Sequence, residues 1–305
     1  MSKIILVLGG AGFIGQHLIR HIEQTTTHNI ISIGRGTIES TSDRVMHHSS
    51  DINYNTLLKI KETINSDLLA IINCAGSGSV RFSHENPKED FVKTTEATID
   101  SLEFIRQFFW GARFIQISSA AVYGQCHSLP LTIHSLTKPV SSYGFSNLIS
   151  EHLVKQYSEV YGIKSATLRV FSVYGNGLKK QILWDACQKI VSGNAKFFGT
   201  GNEIRDFIHI NDLVKIITIC ISKASVSNPV YNCGTANPVK IRDLVSIISS
   251  QLSNNIPVVF TGEDNPGNPK GYLTCGSEKF NIDYTDLEKG IKSYCDWFLN
   301  NGKYD

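Results

Sequence analysis

The chain has 305 residues, enough for two domains of ordinary size or for one large one. Hydrophobic residues make up 41% of the chain, which supplies a sizeable core and excludes an intrinsically disordered protein. The 29 Lys and Arg residues nearly balance the 27 Asp and Glu residues, and a net charge of +2 does not favour nucleic acid as a partner.

The seven cysteines are an odd number at irregular spacing, with no CxxC pair. This pattern is typical of neither a disulfide framework nor a zinc site, and it indicates reduced cysteines in a cytoplasmic protein. The apolar run Ile4–Leu8 is shorter than that of a signal peptide, and no run approaches the length of a membrane span. We therefore expect no membrane partner, and the histidines do not have metal-ligand spacing, so we expect no metal.

Short β-branched runs alternate with segments of helical periodicity through the first half of the chain. This alternation predicts βαβ units, and hence an α/β fold with a doubly wound parallel sheet covered by helices on both faces. The predicted strands are Ile4–Leu8, Ile30–Ile33, Leu69–Asn73, Phe114–Ser118 and Thr167–Phe171. Further helices are predicted near Gln181–Val191, Asn211–Ser222, Ile241–Leu252 and Tyr284–Leu299.

A glycine-rich loop follows the first predicted strand and opens a helix, with Gly9, Gly12 and Gly15 three residues apart. Gly9 permits a tight turn, Gly12 lets the backbone approach a pyrophosphate, and Gly15 lets the helix pack closely on the strand. The helix N-terminus, with Phe13 and Ile14, supplies unpaired N–H groups for phosphates. The loop therefore predicts a dinucleotide site at these five residues.

The end of the second predicted strand bears on the choice between NAD and NADP. NAD sites place an acidic residue there, whereas this chain has Arg35, whose guanidinium suits a 2′-phosphate. The sequence thus favours NADP as the cofactor. The alternative is that Arg35 stacks on adenine or is solvated, which leaves NAD open.

Several longer motifs follow in order: Ser118–Gly124 reads SSAAVYG, Tyr143–Ser146 reads YGFS, and Arg205–Asp212 reads RDFIHIND. With the glycine loop, they make the chain similar to the extended short-chain dehydrogenase/reductase family, the nucleotide-sugar epimerases, dehydratases and reductases. The resemblance implies a dinucleotide-binding domain at residues 1–174, to which 207–234 return. It implies a smaller substrate lobe from residues 175–206 and 235–305.

The resemblance also implies roles for individual residues. Tyr143 would exchange a proton with a sugar oxygen, to which Ser119 would hydrogen-bond as both catalytic and substrate-binding residue. Further cofactor contacts would come from Asp51 and Ile52 at the adenine and from the small residues Cys74, Ala75 and Gly76.

The chain departs from the family at Asn147. Other members of the family have a lysine there, one turn after the tyrosine, which holds the nicotinamide ribose and lowers the pKa of the phenol. An amide can bind the ribose but carries no charge that would stabilise phenolate. With a pKa near 10, Tyr143 would be a poor base and a usable acid. This difference favours ketone reduction over alcohol oxidation.

In the substrate lobe, Arg205 matches the arginine that pairs with the nucleotide diphosphate in the family. The alternative is a structural ion pair of Arg205 with Asp206 or Asp212. Ser172 replaces a customary asparagine of the substrate site. The segment 265–268 reads NPGN where the family has RPGD, and Lys270 could compensate for the missing arginine. Cys126 lies just beyond the active-site loop and could touch the substrate.

The resulting hypothesis is an enzyme that uses NADPH to reduce a keto group on a nucleotide sugar, most plausibly a 4-keto-6-deoxyhexose. The first alternative is an NAD-dependent nucleotide-sugar 4-epimerase, and the second is a noncatalytic cofactor-binding protein with a degenerate active site. A dehydratase is disfavoured because Ala120 and Ala121 stand where dehydratases have an acidic pair. Two apolar stripes on Phe91–Phe109 predict a homodimer through paired helices.

Overall fold

The computed structural model describes residues 2–40, 42–125, 128–252, 256–263, 270–274 and 280–301. These residues fall into two compact units. The first comprises residues 1–124, 135–170 and 214–232, and the second comprises residues 125–134, 171–213 and 233–305, within the described ranges.

Twelve strands are formed by the described residues. They are β1 (Ile4–Leu8), β2 (Asn29–Ile33), β3 (Val45–His48), β4 (Leu68–Asn73), β5 (Arg113–Ser119), β6 (Ser165–Val170), β7 (Ser172–Tyr174), β8 (Lys196–Phe197), β9 (Ile204–His209), β10 (Val230–Cys233), β11 (Pro238–Lys240) and β12 (Val259–Phe260). All five predicted strands are present, with ends shifted by two residues or fewer.

Ten α-helices are formed by the same part of the chain. They are α1 (Phe13–Thr25), α2 (Tyr54–Lys61), α3 (Val80–Glu85), α4 (Pro87–Phe91), α5 (Ala97–Phe108), α6 (Ser142–Tyr161), α7 (Gln181–Val191), α8 (Ile210–Lys223), α9 (Ile241–Gln251) and α10 (Leu287–Asn301). The segment Phe91–Phe109, on which the sequence shows two apolar stripes, contains a π-helical turn at Val92–Glu96 that separates α4 from α5. A 3₁₀ turn at Ala120–Tyr123 follows β5.

The first unit is built on a seven-stranded sheet in the order β10-β6-β5-β4-β1-β2-β3. Neighbouring strands pair in parallel from β6 to β3. Every residue of β1 and β6 is buried, because helices cover both faces of such a sheet. The predicted α/β fold with a doubly wound parallel sheet is therefore confirmed, and the carboxyl ends of β1, β2, β4 and β5 lie along one edge.

The second unit contains a three-stranded sheet, β11-β9-β7, and the two-stranded sheet β12-β8. Its helices pack through aromatic rings: Trp184 of α7 contacts Phe298 of α10 with ring centroids 5.1 Å apart. The unit boundaries differ from the predicted domains, since residues 207–213 group with the second unit. Residues 207–209 belong to β9, which pairs with β7 and β11 in the smaller sheet, and residues 210–213 are the start of α8, which follows β9 directly.

No helix among the described residues combines the length and the apolar character that crossing a membrane requires.

Candidate active site

The glycine loop joins β1 to α1 in the geometry that the sequence predicts. Gly9 has φ +75°, and a Cβ there would lie 2.8 Å from the carbonyl oxygen of Cys74. A Cβ on Gly15 would lie 2.3 Å from the carbonyl oxygen of Gly9, and one on Gly12 would lie 3.1 Å from the same atom. Side chains at these positions would be strained or obstructed, so the three glycines keep this cradle narrow and lined by backbone.

The N-terminus of α1 is the polar end of this cradle. The N-cap residue is Gly12, so no side chain caps the first turn at Phe13 and Ile14, and the turn holds no acidic residue. By contrast, side chains of Asn53 and Ser141 cap α2 and α6. The N–H groups and the positive dipole end of α1 are therefore left available for an anion, which fits the pyrophosphate of a dinucleotide.

The ends of β2 and β3 meet beside the cradle. Gly34 approaches it so closely that a Cβ would lie 3.2 Å from the backbone nitrogens of Gly10 and Ala11. Beyond this point the Nε of Arg35 lies 3.4 Å from a carboxylate oxygen of Asp51, and both side chains are largely exposed. The structure thus brings together two predicted cofactor residues as an ion pair, which the sequence did not indicate. Ile52 packs against the apolar core of the first unit.

The end of β4 forms another wall of the cradle. The side chain of Asn73 accepts a hydrogen bond from the Ala75 N–H at 3.1 Å and so shapes the segment Cys74–Gly76. Burial raises the pKa of the Cys74 thiol to about 12, which makes it an inert packing group. The Oγ1 atom of Thr94, on the π-helical turn, lies 3.3 Å from where a Cβ of Gly76 would be. It is buried and makes no hydrogen bond within the described ranges.

Ser119 and Tyr143 come together at the carboxyl end of β5. Ser119 is the last residue of β5, and its hydroxyl accepts a hydrogen bond from the N–H of Ala121 at 3.2 Å. Tyr143 lies in the first turn of α6, and its phenol is within hydrogen-bonding reach of the Ser119 hydroxyl. The structure therefore unites the two predicted catalytic side chains, which are 24 positions apart in the sequence.

The electrostatic surroundings of Tyr143 favour its protonated form. Burial of the phenol raises its pKa most, and the nearby carboxylate of Asp90 raises it further. Hydrogen bonding with Ser119 and Asn147 acts in the opposite direction but does not prevail. Asn147 itself is buried, and its side-chain N–H donates to the backbone carbonyl of Tyr143 at 2.8 Å.

Two glycines that the sequence reasoning did not assign bring the active-site loop against α6. A Cβ on Gly144 would lie 2.7 Å from the carbonyl oxygen of Ala121, so α6 packs closely against the 3₁₀ turn at Ala121. Gly124 has φ +63°, and a Cβ there would lie 1.7 Å from the carbonyl oxygen of Lys138. The glycine directly after Tyr143 was the available signal for this close packing.

A buried polar cluster lies beneath Ser119. Glu151, two turns after Tyr143 on α6, accepts a hydrogen bond from the Ser118 hydroxyl at 2.5 Å. It also pairs with Arg169 of β6 at 2.7 Å, with both side chains less than one-tenth exposed. Arg169 in turn donates to the Tyr123 hydroxyl at 2.9 Å. These contacts join β5, β6, α6 and the 3₁₀ turn, and the sequence reasoning did not assign the charged pair.

Three further predicted substrate residues, Ser172, Arg205 and Lys270, lie in the second unit around β9. Arg205 is half-buried, and its guanidinium lies over the ring of Tyr272, 5.4 Å from the ring centroid. This partial burial lowers the pKa of the guanidinium. The backbone carbonyl of Lys270 accepts from the Ile204 N–H at 3.0 Å. Ser172 of β7 is in register with Phe207 of β9. Ser172 and Arg205 thus lie on one small sheet, and the backbone of Lys270 contacts it at Ile204.

The sequence left open a structural ion pair of Arg205 with Asp206 or Asp212, and the structure shows hydrogen-bond donors around both carboxylates. Asp206 accepts five hydrogen bonds from backbone N–H and hydroxyl groups of Thr235, Ala236 and Thr274. Asp212 accepts from the Thr285 N–H at 2.7 Å. Cys126 and the segment 265–268, to which the sequence reasoning also gave a part in substrate binding, lie outside the described residues.

Comparison with known proteins places these features in a family. The model of the NAD dependent epimerase/dehydratase family matches residues 5–234. A putative UDP-glucose 4-epimerase of Methanocaldococcus jannaschii is 29% identical, over 98% of this chain and 100% of its own length. A dTDP-glucose 4,6-dehydratase of Salmonella typhimurium is 25% identical, over 98% of this chain and 94% of its own length.

Solved structures show the same fold. A UDP-glucuronic acid 4-epimerase from Bacillus cereus, in complex with UDP-glucuronic acid and NAD, superposes with a TM-score of 0.85 at 22% identity. The superposition covers 98% of this chain and 99% of that one. The family match and the resemblance seen in the sequence agree: the chain is an enzyme of the NAD dependent epimerase/dehydratase family.

Proposed function

We propose that this protein is an NAD-dependent 4-epimerase of a nucleotide sugar. The observation that carries the proposal is the contact between the Tyr143 phenol and the Ser119 hydroxyl at the carboxyl end of β5. It supplies a proton-transfer group and a hydroxyl that can hydrogen-bond the same substrate oxygen. The related proteins support an epimerase, since 4-epimerases of UDP-sugars recur among them.

The proposed cofactor is NAD rather than the NADP that Arg35 favours in the sequence. The carboxylate of Asp51 already faces the Arg35 guanidinium, and it would repel a 2′-phosphate brought to the same place. The narrow backbone cradle at Gly9, Gly12 and Gly15 would hold the pyrophosphate against the first turn of α1. When bound, NAD supplies reversible hydride acceptance at the C4 atom of the sugar.

The chain's own residues would manage the proton. Tyr143 would take the proton of the 4-hydroxyl as the C4–H hydrogen leaves with its electron pair, which leaves a 4-keto sugar. Ser119 would hydrogen-bond the same oxygen throughout. After the keto sugar has turned its other face to the cofactor, the hydrogen and its electron pair return to C4, and Tyr143 returns the proton to the oxygen. The configuration at C4 is then inverted with no net oxidation.

The substrate would be held by the second unit. Arg205 is half-buried, and the planar fork of its guanidinium suits a diphosphate. Ser172 lies on the same small sheet, and the backbone of Lys270 bonds to Ile204 at its edge. The neighbours solved with UDP-sugars support a uridine diphosphate sugar as the first substrate to test.

NADPH-dependent reduction of a 4-keto sugar is the second candidate function, and the raised pKa of Tyr143 favours it. A phenol that stays protonated is a proton donor, which ketone reduction requires, and Asn147 supplies no positive charge to change this.

The experiment incubates the purified protein with UDP-glucose, UDP-N-acetylglucosamine or UDP-glucuronic acid and NAD, and analyses the products by NMR. We expect the C4 epimer to accumulate to equilibrium without a matching amount of NADH. A parallel assay supplies NADPH with 4-keto nucleotide sugars. Turnover only in that assay, with NADPH consumed one for one, would establish the reductase instead. Tyr143→Phe should lower either activity about 10²-fold or more. Tyr161→Phe, near the other end of α6, should leave both activities unchanged.

We also propose that the protein is a homodimer. Exposed apolar side chains of the first unit lie on α4, the π-helical turn, α5 and α6. They are Phe91, Val92, Ile99, Phe145 and Ile149, with exposed fractions between 37% and 54%. A paired-helix interface would bury these side chains, which fits the two apolar stripes seen in the sequence.

A further inference from the structure

Asp90 is a buried carboxylate close to the catalytic tyrosine. It lies on α4 with no exposed surface, and one of its oxygens accepts a hydrogen bond from the Ser77 hydroxyl. The other accepts from the Ser146 hydroxyl at 2.6 Å. Within the described ranges no Lys or Arg nitrogen lies within ion-pair distance of it. Burying a carboxylate that has hydroxyl partners and no cation beside it is costly, and the position of Asp90 therefore calls for an explanation.

The two partners of Asp90 come from opposite sides of the site. Ser77 directly follows the segment Cys74–Gly76 at the end of β4, and Ser146 lies one turn after Tyr143 on α6. The Tyr143 N–H is held separately, because it donates to the Ser83 hydroxyl of α3 at 3.0 Å. Asp90 therefore ties the catalytic turn of α6 to the loop that lines the glycine cradle.

We propose that Asp90 is a positioning residue for Tyr143, which fixes the first turns of α6 through Ser77 and Ser146 and places a negative charge beside the phenol. In the family, by contrast, a lysine at the position of Asn147 places a positive charge near the phenol. The charge of Asp90 disfavours a second negative charge on the phenolate, so Tyr143 is held in its protonated form, the form that returns the proton to the sugar oxygen in the second half of the proposed reaction. The inference rests on the proposed role of Tyr143 and extends it by naming the group that sets its ionisation.

Asp90 stands apart from the other charged groups on the elements packed against α6. These side chains are exposed or are paired with a partner away from the phenol. They are Arg81, His84 and Glu85 of α3, Lys88 and Glu89 of α4, Lys93 and Glu96 of the π-helical turn, Asp100, Glu103 and Arg106 of α5, and Glu151 with Arg169; Lys138, ahead of α6, is exposed. Asp90 is the group among them whose charge raises the pKa of Tyr143.

The experiment measures the ionisation of Tyr143 directly and needs no turnover. The full chain is prepared with 3-fluorotyrosine, and the ¹⁹F resonance that disappears in Tyr143→Phe is followed against pH. We expect Asp90→Asn, which keeps the size of the side chain, to lower the pKa of Tyr143 by about one unit. This corresponds to a roughly tenfold larger ionisation constant of the phenol. Glu96→Gln, which removes an exposed carboxylate from the neighbouring turn, should leave the pKa unchanged.

An unchanged pKa of Tyr143 in a folded Asp90→Asn protein would overturn the proposal and leave Asp90 a structural anchor alone. If that variant does not fold, Asp90→Ser replaces it and should give the same downward shift. The wild-type protein provides a second test. A pKa of Tyr143 in the folded protein at or below its pKa in the urea-denatured chain would also overturn the proposal. A confirmed shift in a protein without epimerase or reductase activity would refute the proposed function while the effect of Asp90 stands.

Discussion

The side-chain amide of Asn147 donates a hydrogen bond to the backbone carbonyl of Tyr143, 2.8 Å away and one turn earlier on α6. The residue that replaces the family's lysine is therefore buried and turned toward its own helix. It contributes a hydrogen bond and no charge to the surroundings of the phenol, which leaves burial and Asp90 to raise the pKa of Tyr143.

Asn147→Lys should increase the rate of alcohol oxidation at neutral pH. The pKa of Tyr143 is raised above its ordinary value of about 10, so less than about one phenol in a thousand is ionised at pH 7. In the wild type, the rate of proton abstraction should therefore rise about tenfold per pH unit on the alkaline side. An ammonium at position 147 favours phenolate and should move this limb to lower pH, by about one unit.

The measurement is kcat/KM against pH for epimerisation, with Asn147→Met as the uncharged control of similar length. Equal profiles for the lysine and methionine variants would contradict the electrostatic explanation.

Asp51→Asn should shift cofactor preference toward NADP. The substitution removes the carboxylate that faces Arg35 at 3.4 Å and frees the guanidinium for a 2′-phosphate. We expect the wild type to bind NAD more tightly than NADP, and the ratio of the two dissociation constants to fall several-fold in the variant. Calorimetric titration gives both constants. Asp67→Asn, which breaks an exposed ion pair with Lys3, is the matched control; a ratio altered equally by both variants would speak against a local effect.

Gly144→Ala should destabilise the first unit. The new Cβ would lie 2.7 Å from the carbonyl oxygen of Ala121, a backbone atom that cannot move without displacing the active-site turn. Overpacking of this kind costs about 1–3 kcal/mol in the free energy of unfolding. Gly111→Ala serves as the control, because nothing lies within 4 Å of its Cβ position. Urea denaturation measures both, and similar midpoints for the two variants would show that the turn can yield.

Arg169→Met should cost about 3–5 kcal/mol in the free energy of unfolding, because it leaves the Glu151 carboxylate buried without its partner. Glu159→Gln on the same helix α6 breaks the exposed pair with Lys155 and should cost less than about 1 kcal/mol. Chemical denaturation of the two variants tests the contrast. Comparable losses would mean that the buried pair contributes no more than a surface one.

Phe145→Glu should convert the proposed dimer into a monomer. Phe145 is 54% exposed on the apolar face of the first unit, and a charge buried there without a partner would oppose association. Light scattering coupled to gel filtration at micromolar concentration gives the mass. Val160→Glu, near the other end of α6, is the control and should stay dimeric. A monomeric wild type would refute the dimer.

The sequence by itself determined the parallel sheet and the cofactor cradle. Alternating apolar runs specify buried strands, and glycine spacing specifies a turn that few other residues can form, so both signals are local. The positions of Tyr143 and Ser119 could likewise be read from motifs. The domain boundaries were less accessible, because the membership of residues 207–213 depends on which strands β9 pairs with.

Only the tertiary structure decided what surrounds the phenol of Tyr143. Asp90 looks like an ordinary charged residue of a short helix, and its burial follows from the packing of α3, α4 and α6 around Ser77 and Ser146. The pairing of Arg35 with Asp51 depends similarly on two strand ends that lie side by side. Electrostatic coupling falls off with distance through space, not along the chain, and for this reason the ionisation of Tyr143 could not be derived from the order of the residues.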